Sequence, residues 1–336
     1  MSQPRARAAV FSAGSWGTAV AKIMADAGTD VIVHARRSEI ADAINTRRRN
    51  PGYFPDVDLP ASLTATTDPA AALEGADYVV LSIPAQSLRA NLADWAPHIP
   101  SHAVIVSLMK GIETDTGWRA SQVIAQVTGV PADRIAVLSG PNLAREIMEG
   151  QPAAATIACP DEDAARRFQK ACHASYFRPY TSTDVIGCEM GGAVKNVIAL
   201  AVGIAVGMGL GDNATAVLIT RGLAETTRLA VRMGAHPATL AGLSGLGDLV
   251  ATCSSPLSRN RTFGTRLGQG MTIAEATAAT RQTTEGVKSA TAILDLAHVH
   301  DVEMPITEVM AALLQEKISL DEAAAALMQR PPKPER

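Results

Sequence analysis

Apolar residues along this chain follow two patterns, and one gives way to the other near residue 188. In the first half they form short, nearly unbroken runs at 8–11, 30–34, 78–83, 103–108 and 135–138. Each run has strand length and alternates with stretches of helix length, the pattern of buried parallel strands joined by crossover helices. Segments 153–158 and 176–180 read as further strands that close the sheet on a less regular edge. Beyond 188, Val194, Val197, Ile198, Ala201, Val202 and Ala205 recur at three- and four-residue intervals, and helical segments follow. The pattern predicts an α/β chain: a parallel-sheet domain over 1–188, an all-helical domain over 189–330, and a frayed tail at 331–336.

The first run enters Ser12-Ala13-Gly14-Ser15-Trp16-Gly17 and then the helix-like Thr18-Ala19-Val20-Ala21. Apart from Ser12, which replaces the first glycine, this is the G-x-G-x-x-G dinucleotide fingerprint. Small residues there allow a tight turn, a close approach of backbone N–H groups to a pyrophosphate, and close helix–strand packing. An ordinary strand-to-helix turn has the same outline. The second run ends at His34, about twenty positions past Gly14, where a dinucleotide site meets the adenosine ribose. A carboxylate at that point favours NAD, but here the segment reads His34-Ala35-Arg36-Arg37. Guanidinium groups bind a 2′-phosphate through paired, charge-assisted hydrogen bonds. Arg36 and Arg37 therefore predict NADP as the preferred cofactor, with NAD possible, unless they are a solvated helix start. The sheet domain is expected to be Rossmann-type.

Composition narrows the function classes. Only 4% of the 336 residues are aromatic while 47% are hydrophobic, so Ala, Val, Ile and Leu must build the core. A net charge of −3 offers no general attraction to nucleic acid or to an anionic membrane. Cys159, Cys172, Cys188 and Cys253 are scattered without metal-ligand spacing, as reduced thiols of a cytoplasmic protein would be, and no metal is expected. The first ten residues lack an apolar stretch of signal-peptide length. The apolar run 197–210 is cut by Gly203, Gly207 and Gly209 and follows Lys195-Asn196, so it reads as a buried helix, not a membrane span.

Lys195 is the first candidate for chemistry. It stands near the start of that apolar helix, behind Gly191-Gly192, where desolvation would lower its pKa toward the range of proton transfer. Downstream, Ser258-Arg259-Asn260 combines a hydroxyl, a guanidinium and an amide suited to a phosphate, with Arg261 and Arg266 adding charge nearby. Arg221 and Glu225 are four apart and can pair on one helix face.

The segment Glu189-Met190-Gly191-Gly192-Ala193-Val194-Lys195-Asn196-Val197 closely resembles bacterial NAD(P)-dependent glycerol-3-phosphate dehydrogenases. Similar blocks run through most of the chain in the expected order. They include Gly14-Ser15-Trp16-Gly17, Leu108-Met109-Lys110-Gly111, Ser139-Gly140-Pro141-Asn142-Leu143-Ala144, Gly245-Leu246-Gly247-Asp248, Ser258-Arg259-Asn260 and Glu285-Gly286-Val287. The resemblance implies that Lys195 moves the proton between dihydroxyacetone phosphate and sn-glycerol 3-phosphate, with Lys110 and Asp248 beside it. Asp248 also suits a helix N-cap. The resemblance further implies that Gly140, Asn142, Ser258, Arg259 and Asn260 bind substrate. Cofactor contacts are implied for Ser15, Trp16, Arg36, Arg37, Tyr53, Lys110, Ala144, Arg259, Thr283 and Glu285, although Tyr53 equally suits packing. The expected protein is a cytoplasmic homodimer acting on a small molecule for glycerophospholipid synthesis. Its rivals are a two-domain NADP-dependent dehydrogenase of a 3-hydroxy acid or sugar acid, and a non-catalytic NADP-binding sensor.

Overall fold

A computed structural model describes residues 5–280 and 284–328; the candidate Thr283 and the tail 331–336 lie outside the described residues. Eight strands form one sheet: β1 (Arg7–Phe11), β2 (Asp30–His34), β3 (Leu63–Thr66), β4 (Tyr78–Leu81), β5 (Val104–Ser107), β6 (Ile135–Ser139), β7 (Ala153–Ala158) and β8 (Phe177–Ser182). Their order is β3-β2-β1-β4-β5-β6-β7-β8. Strands β1 to β6 run parallel, β7 is antiparallel to β6, and β8 is parallel to β7. The irregular edge expected at 153–180 is this reversal. Strand β3 was not anticipated. Its Leu-Thr-Ala-Thr alternates on an edge of the sheet, with Leu63 buried and Thr64 exposed, so it has no apolar run to betray it.

The chain leaves β1 for β2 and β3, then returns to β4 on the other side of β1. That reversal makes the carboxyl ends of β1 and β4 the topological switch point, where open α/β sheets bind ligands. Side chains alternate across the sheet. Val10 and Val80 pack on one face with Phe168, while Phe11 and Leu81 pack on the other with Leu88 and Trp95. Fully burying such side chains contributes about 1.5–3 kcal/mol each.

From Val185 onward the described residues are helical, without strands. The central helix, Val185–Gly207, is capped by Asp184, whose side chain accepts from Gly187 N at 2.8 Å. Every residue from 187 to 205 is buried. An apolar helix of this kind must be covered on all sides. The helix Arg259–Gly268 approaches it so closely that a Cβ on Gly264 would lie 2.2 Å from Leu200 O. The N-terminal half of the central helix is fastened to the sheet domain by Glu189, which accepts from the Arg119 guanidinium, from Ser121 N at 2.8 Å and from Ser121 Oγ at 2.7 Å. Three donors compensate a carboxylate that would be costly to bury alone.

Glu225 does not serve the expected pairing with Arg221. Its buried carboxylate accepts from Ile306 N at 2.9 Å, Thr307 N at 3.1 Å and Thr307 Oγ1 at 2.8 Å. It therefore caps the start of the helix Pro305–Leu314 from a neighbouring element.

Candidate active site

Between β1 and the helix Ser15–Asp26, Ser12 adopts φ 127°, a region that L side chains rarely enter. Its Oγ accepts from Gly14 N at 3.0 Å. A Cβ on Gly17 would lie 2.1 Å from Ser12 O, so only glycine lets the helix start this close to the strand. Gly14 precedes the helix in an extended conformation and no side chain caps the first turn. N–H groups left there suit an anion. Trp16 Nε1 is buried without a hydrogen-bond partner.

Asn50, absent from the sequence candidates, fastens the next loop to this turn. Its Nδ2 donates to Ala13 O at 2.9 Å and to Thr18 Oγ1 at 2.8 Å, while its Oδ1 accepts from Gly52 N. Tyr53 packs against the sheet core beside it. His34 is buried, tilted on Phe11 and edge-on to Trp95, and burial lowers its pKa. Arg36 and Arg37 are exposed past β2, with Arg37 Nε 3.7 Å from Glu39. An uncapped helix start, an unpartnered indole N–H and two accessible guanidinium groups together fit a phosphorylated dinucleotide.

Lys110, on the loop after β5, donates from Nζ to Gly140 O at 2.9 Å and to Asp248 Oδ2 at 2.6 Å. Lys195, inside the central helix, donates to the other oxygen of Asp248 and to Thr252 Oγ1 at 2.6 Å. One carboxylate, 1% exposed, thus bridges two ammonium groups from the two domains. Asp248 reaches them because the wide helical turn Leu243–Gly247 precedes it. Gly245 is necessary to that turn, since a Cβ there would lie 2.0 Å from Leu240 O. Burial brings the Lys195 pKa down to about 7; Asp248 opposes the shift, and Lys110 adds to it.

The amide of Asn142, two residues past Gly140, is buried with neither end hydrogen-bonded, as is Ser139 Oγ at the end of β6. Ala144 opens the helix Ala144–Met148 that follows.

On the helical side, Ser258 caps Arg259–Gly268, accepting from Arg261 N at 3.2 Å. Burial lowers the Arg259 pKa, while Glu285 and Tyr53 are close enough to raise it. Arg259 is thus within electrostatic range of a cofactor candidate from each domain. Glu285 opens the helix Glu285–Val299 with Oε2 buried and without a hydrogen-bond partner, and burial raises its pKa. Asn260 is buried and bonded to Asn196 and Gly286.

The structure thus joins Lys110, Lys195, Asp248 and Gly140 directly, and gathers Arg259, Tyr53 and Glu285. Arg36 and Arg37 follow β2, and the Arg37 guanidinium reaches the loop of Tyr53: a Cβ on Gly52 would lie 3.5 Å from Arg37 Nη2. Thr252 was missed, although its place one helical turn past Asp248 was a usable signal.

Two family models match this chain: the N-terminus of NAD-dependent glycerol-3-phosphate dehydrogenase over residues 7–165 and its C-terminus over 184–325. A Streptomyces griseus protein named glycerol-3-phosphate dehydrogenase [NAD(P)+] is 64% identical over 98% of both chains. One of the same name from Thermobifida fusca is 62% identical, again over 98% of both. The crystal structure of glycerol-3-phosphate dehydrogenase from Coxiella burnetii superposes with a TM-score of 0.91 at 36% identity, covering 97% of this chain and 99% of that one.

Proposed function

The chain belongs to the NAD-dependent glycerol-3-phosphate dehydrogenase family, and from that premise we propose that Lys195, Asp248 and Lys110 carry the acid–base and electrostatic work of reducing dihydroxyacetone phosphate reversibly to sn-glycerol 3-phosphate. When bound, NADPH or NADH supplies the hydride for C2 of the ketone. The C2 oxygen then gains charge and needs a proton. A protonated Lys195 has three N–H bonds, and Asp248 and Thr252 take two of them. The third remains for the substrate oxygen. After the transfer, the neutral amine keeps both protein bonds and presents its lone pair to the alcohol, which is the base needed for oxidation.

Asp248 holds both ammonium groups in register. Lys110 adds positive charge for the developing alkoxide and makes Lys195 easier to deprotonate. Ser258, Arg259 and Asn260, at the start of one helix, are the phosphate set; Gly140 and the unpaired amide of Asn142 complete the substrate side. Cofactor contacts fall to Ser15, Trp16, Tyr53, Lys110, Ala144, Arg259, Thr283 and Glu285. Arg36 and Arg37 favour the 2′-phosphate, hence NADP. Closure of the crevice between the domains keeps water from the hydride path.

The enzyme works in the cytoplasm as a homodimer, supplying glycerophospholipid synthesis. Val217 and Val231, exposed on the helix Asp212–Arg232, are apolar surface that a second copy would cover.

The observation that carries this reading is the buried Lys195–Asp248–Lys110 bridge. Its test is loss of NADPH absorbance with dihydroxyacetone phosphate, with dihydroxyacetone, and with a 3-oxo acid. Turnover that requires the phosphate is expected. Preference for the oxo acid would favour the hydroxy-acid dehydrogenase, and binding of NADPH without turnover of any substrate the sensor.

A further inference from the structure

Asp248 holds the Lys110 side chain, but the backbone of Lys110 is held by groups that proton transfer does not require. Its carbonyl accepts from Asn196 Nδ2 at 3.0 Å. Asn196 Oδ1 accepts from Asn260 Nδ2 at 2.9 Å, and Asn260 Oδ1 accepts from Gly286 N at 3.0 Å. Three hydrogen bonds thereby connect the loop after β5, the central helix, the helix Arg259–Gly268 and the first turn of Glu285–Val299. Both asparagines are buried.

The ends of this chain fix its direction. A carbonyl only accepts and a backbone N–H only donates, so each amide has one orientation that satisfies both neighbours. Residue 286 must be small for the helix to reach it: a Cβ there would lie 2.6 Å from Asn196 O and 2.9 Å from Asn260 Oδ1. The same helix turn meets the Lys110 loop directly, since a Cβ on Gly111 would lie 2.9 Å from Glu285 Oε2.

We propose that Asn196 and Asn260 are positioning residues of a single directional amide chain that registers the Lys110 loop against the first turn of Glu285–Val299. The inference rests on the catalytic reading of Lys110 given above. Its distinguishing consequence is that damage at residue 260 is delivered to Lys110. With Asn260→Asp, Gly286 N keeps an acceptor but Asn196 Oδ1 loses its donor. Asn196 then turns over to donate to the new carboxylate, and its oxygen faces the Lys110 carbonyl. Asn196→Asp produces the same clash of acceptors in one step.

The experiment compares Asn196→Asp, Asn260→Asp and the double variant in the intact enzyme. NADPH affinity is read by titration without substrate, and kcat and KM are read with dihydroxyacetone phosphate. A buried acceptor left facing another acceptor lowers kcat/KM by about 10- to 100-fold. The expected result is a similar loss of kcat in the two single variants, with NADPH affinity within about threefold of wild type and a double variant whose kcat is no lower than that of the worse single; Asn260→Asp raises KM in addition, because its carboxylate also faces the substrate phosphate. Losses that multiply in the double variant would overturn the proposal. So would an Asn260→Asp effect confined to KM, which is what phosphate contact alone, without the positioning role, predicts, or unchanged kinetics in Asn196→Asp. If an aspartate variant fails to bind NADPH, Asn196→Ser, which vacates the bond to the Lys110 carbonyl without adding charge, should still lower kcat, and adding Asn260→Ser to it should lower kcat no further; a multiplied loss of kcat would overturn the proposal. Wild-type turnover of dihydroxyacetone phosphate is measured alongside and tests the parent reading separately.

Discussion

Replacing Ser12 reads out the strain in the cofactor turn. At φ 127° a residue with a side chain costs about 1–3 kcal/mol, a cost glycine escapes. Ser12→Ala keeps that strain and loses the hydrogen bond to Gly14 N, so it should destabilise by about 1 kcal/mol. Ser12→Gly loses the same bond and about 0.5–1 kcal/mol to the freer unfolded chain, but it regains the strain energy. The glycine variant should therefore exceed the alanine variant by about 1 kcal/mol, a factor of about five in the unfolding equilibrium. At an ordinary backbone position the order is the reverse, which makes the sign decisive. Urea unfolding of the cofactor-free protein, followed by tryptophan fluorescence, measures the difference. An alanine variant as stable as the glycine variant would mean that the turn holds serine without strain. The glycine variant should also bind NADPH more tightly, because Gly14 N loses its internal acceptor and becomes available to the pyrophosphate.

With the Lys195 pKa at about 7, kcat/KM for ketone reduction should fall as pH rises through about 7, since the ammonium is the acid, while that for alcohol oxidation should rise. Lys195→Ala should lose both limbs and about 10²- to 10⁴-fold in kcat while keeping its NADPH affinity; near-normal turnover would remove Lys195 as the proton carrier. Replacing Arg36 and Arg37 together by alanine should lower kcat/KM with NADPH by about tenfold or more and leave NADH within about twofold. An equal loss with both cofactors would refute their role at the 2′-phosphate.

Elements that announce themselves by their own periodicity are legible in the sequence. Strand β2 falls at 30–34 as expected, and the helix around Lys195 is the buried core its apolar run suggests. Polar groups that meet across elements are not. The Glu225 carboxylate has a plausible partner four residues away, yet its actual partners are two backbone N–H groups and the Thr307 hydroxyl some eighty residues later. Asn50 and Asn196 have the same character: nothing local distinguishes a buried amide that fastens separate elements from one in solvent. Lys110, Lys195 and Asp248 were recognisable as residues, but their sharing of one carboxylate depends on the wide turn at Leu243–Gly247, which no spacing rule reveals.

The central helix carries a consequence for synthesis. Among the described residues, Val185–Gly207 is the one helix long and apolar enough to cross a membrane. The helices that cover it, from Asp212–Arg232 to Pro305–Leu314, are translated after it. At about 5–20 residues per second, the hundred or so residues that follow leave it without its cover for on the order of 5–20 s. During that interval the sides those helices will cover are open apolar surface. Lys195 sits at the middle of the central helix, where a lysine opposes insertion by about 2.5–3.5 kcal/mol. The side chain assigned to proton transfer thus also helps the nascent chain stay out of the bilayer.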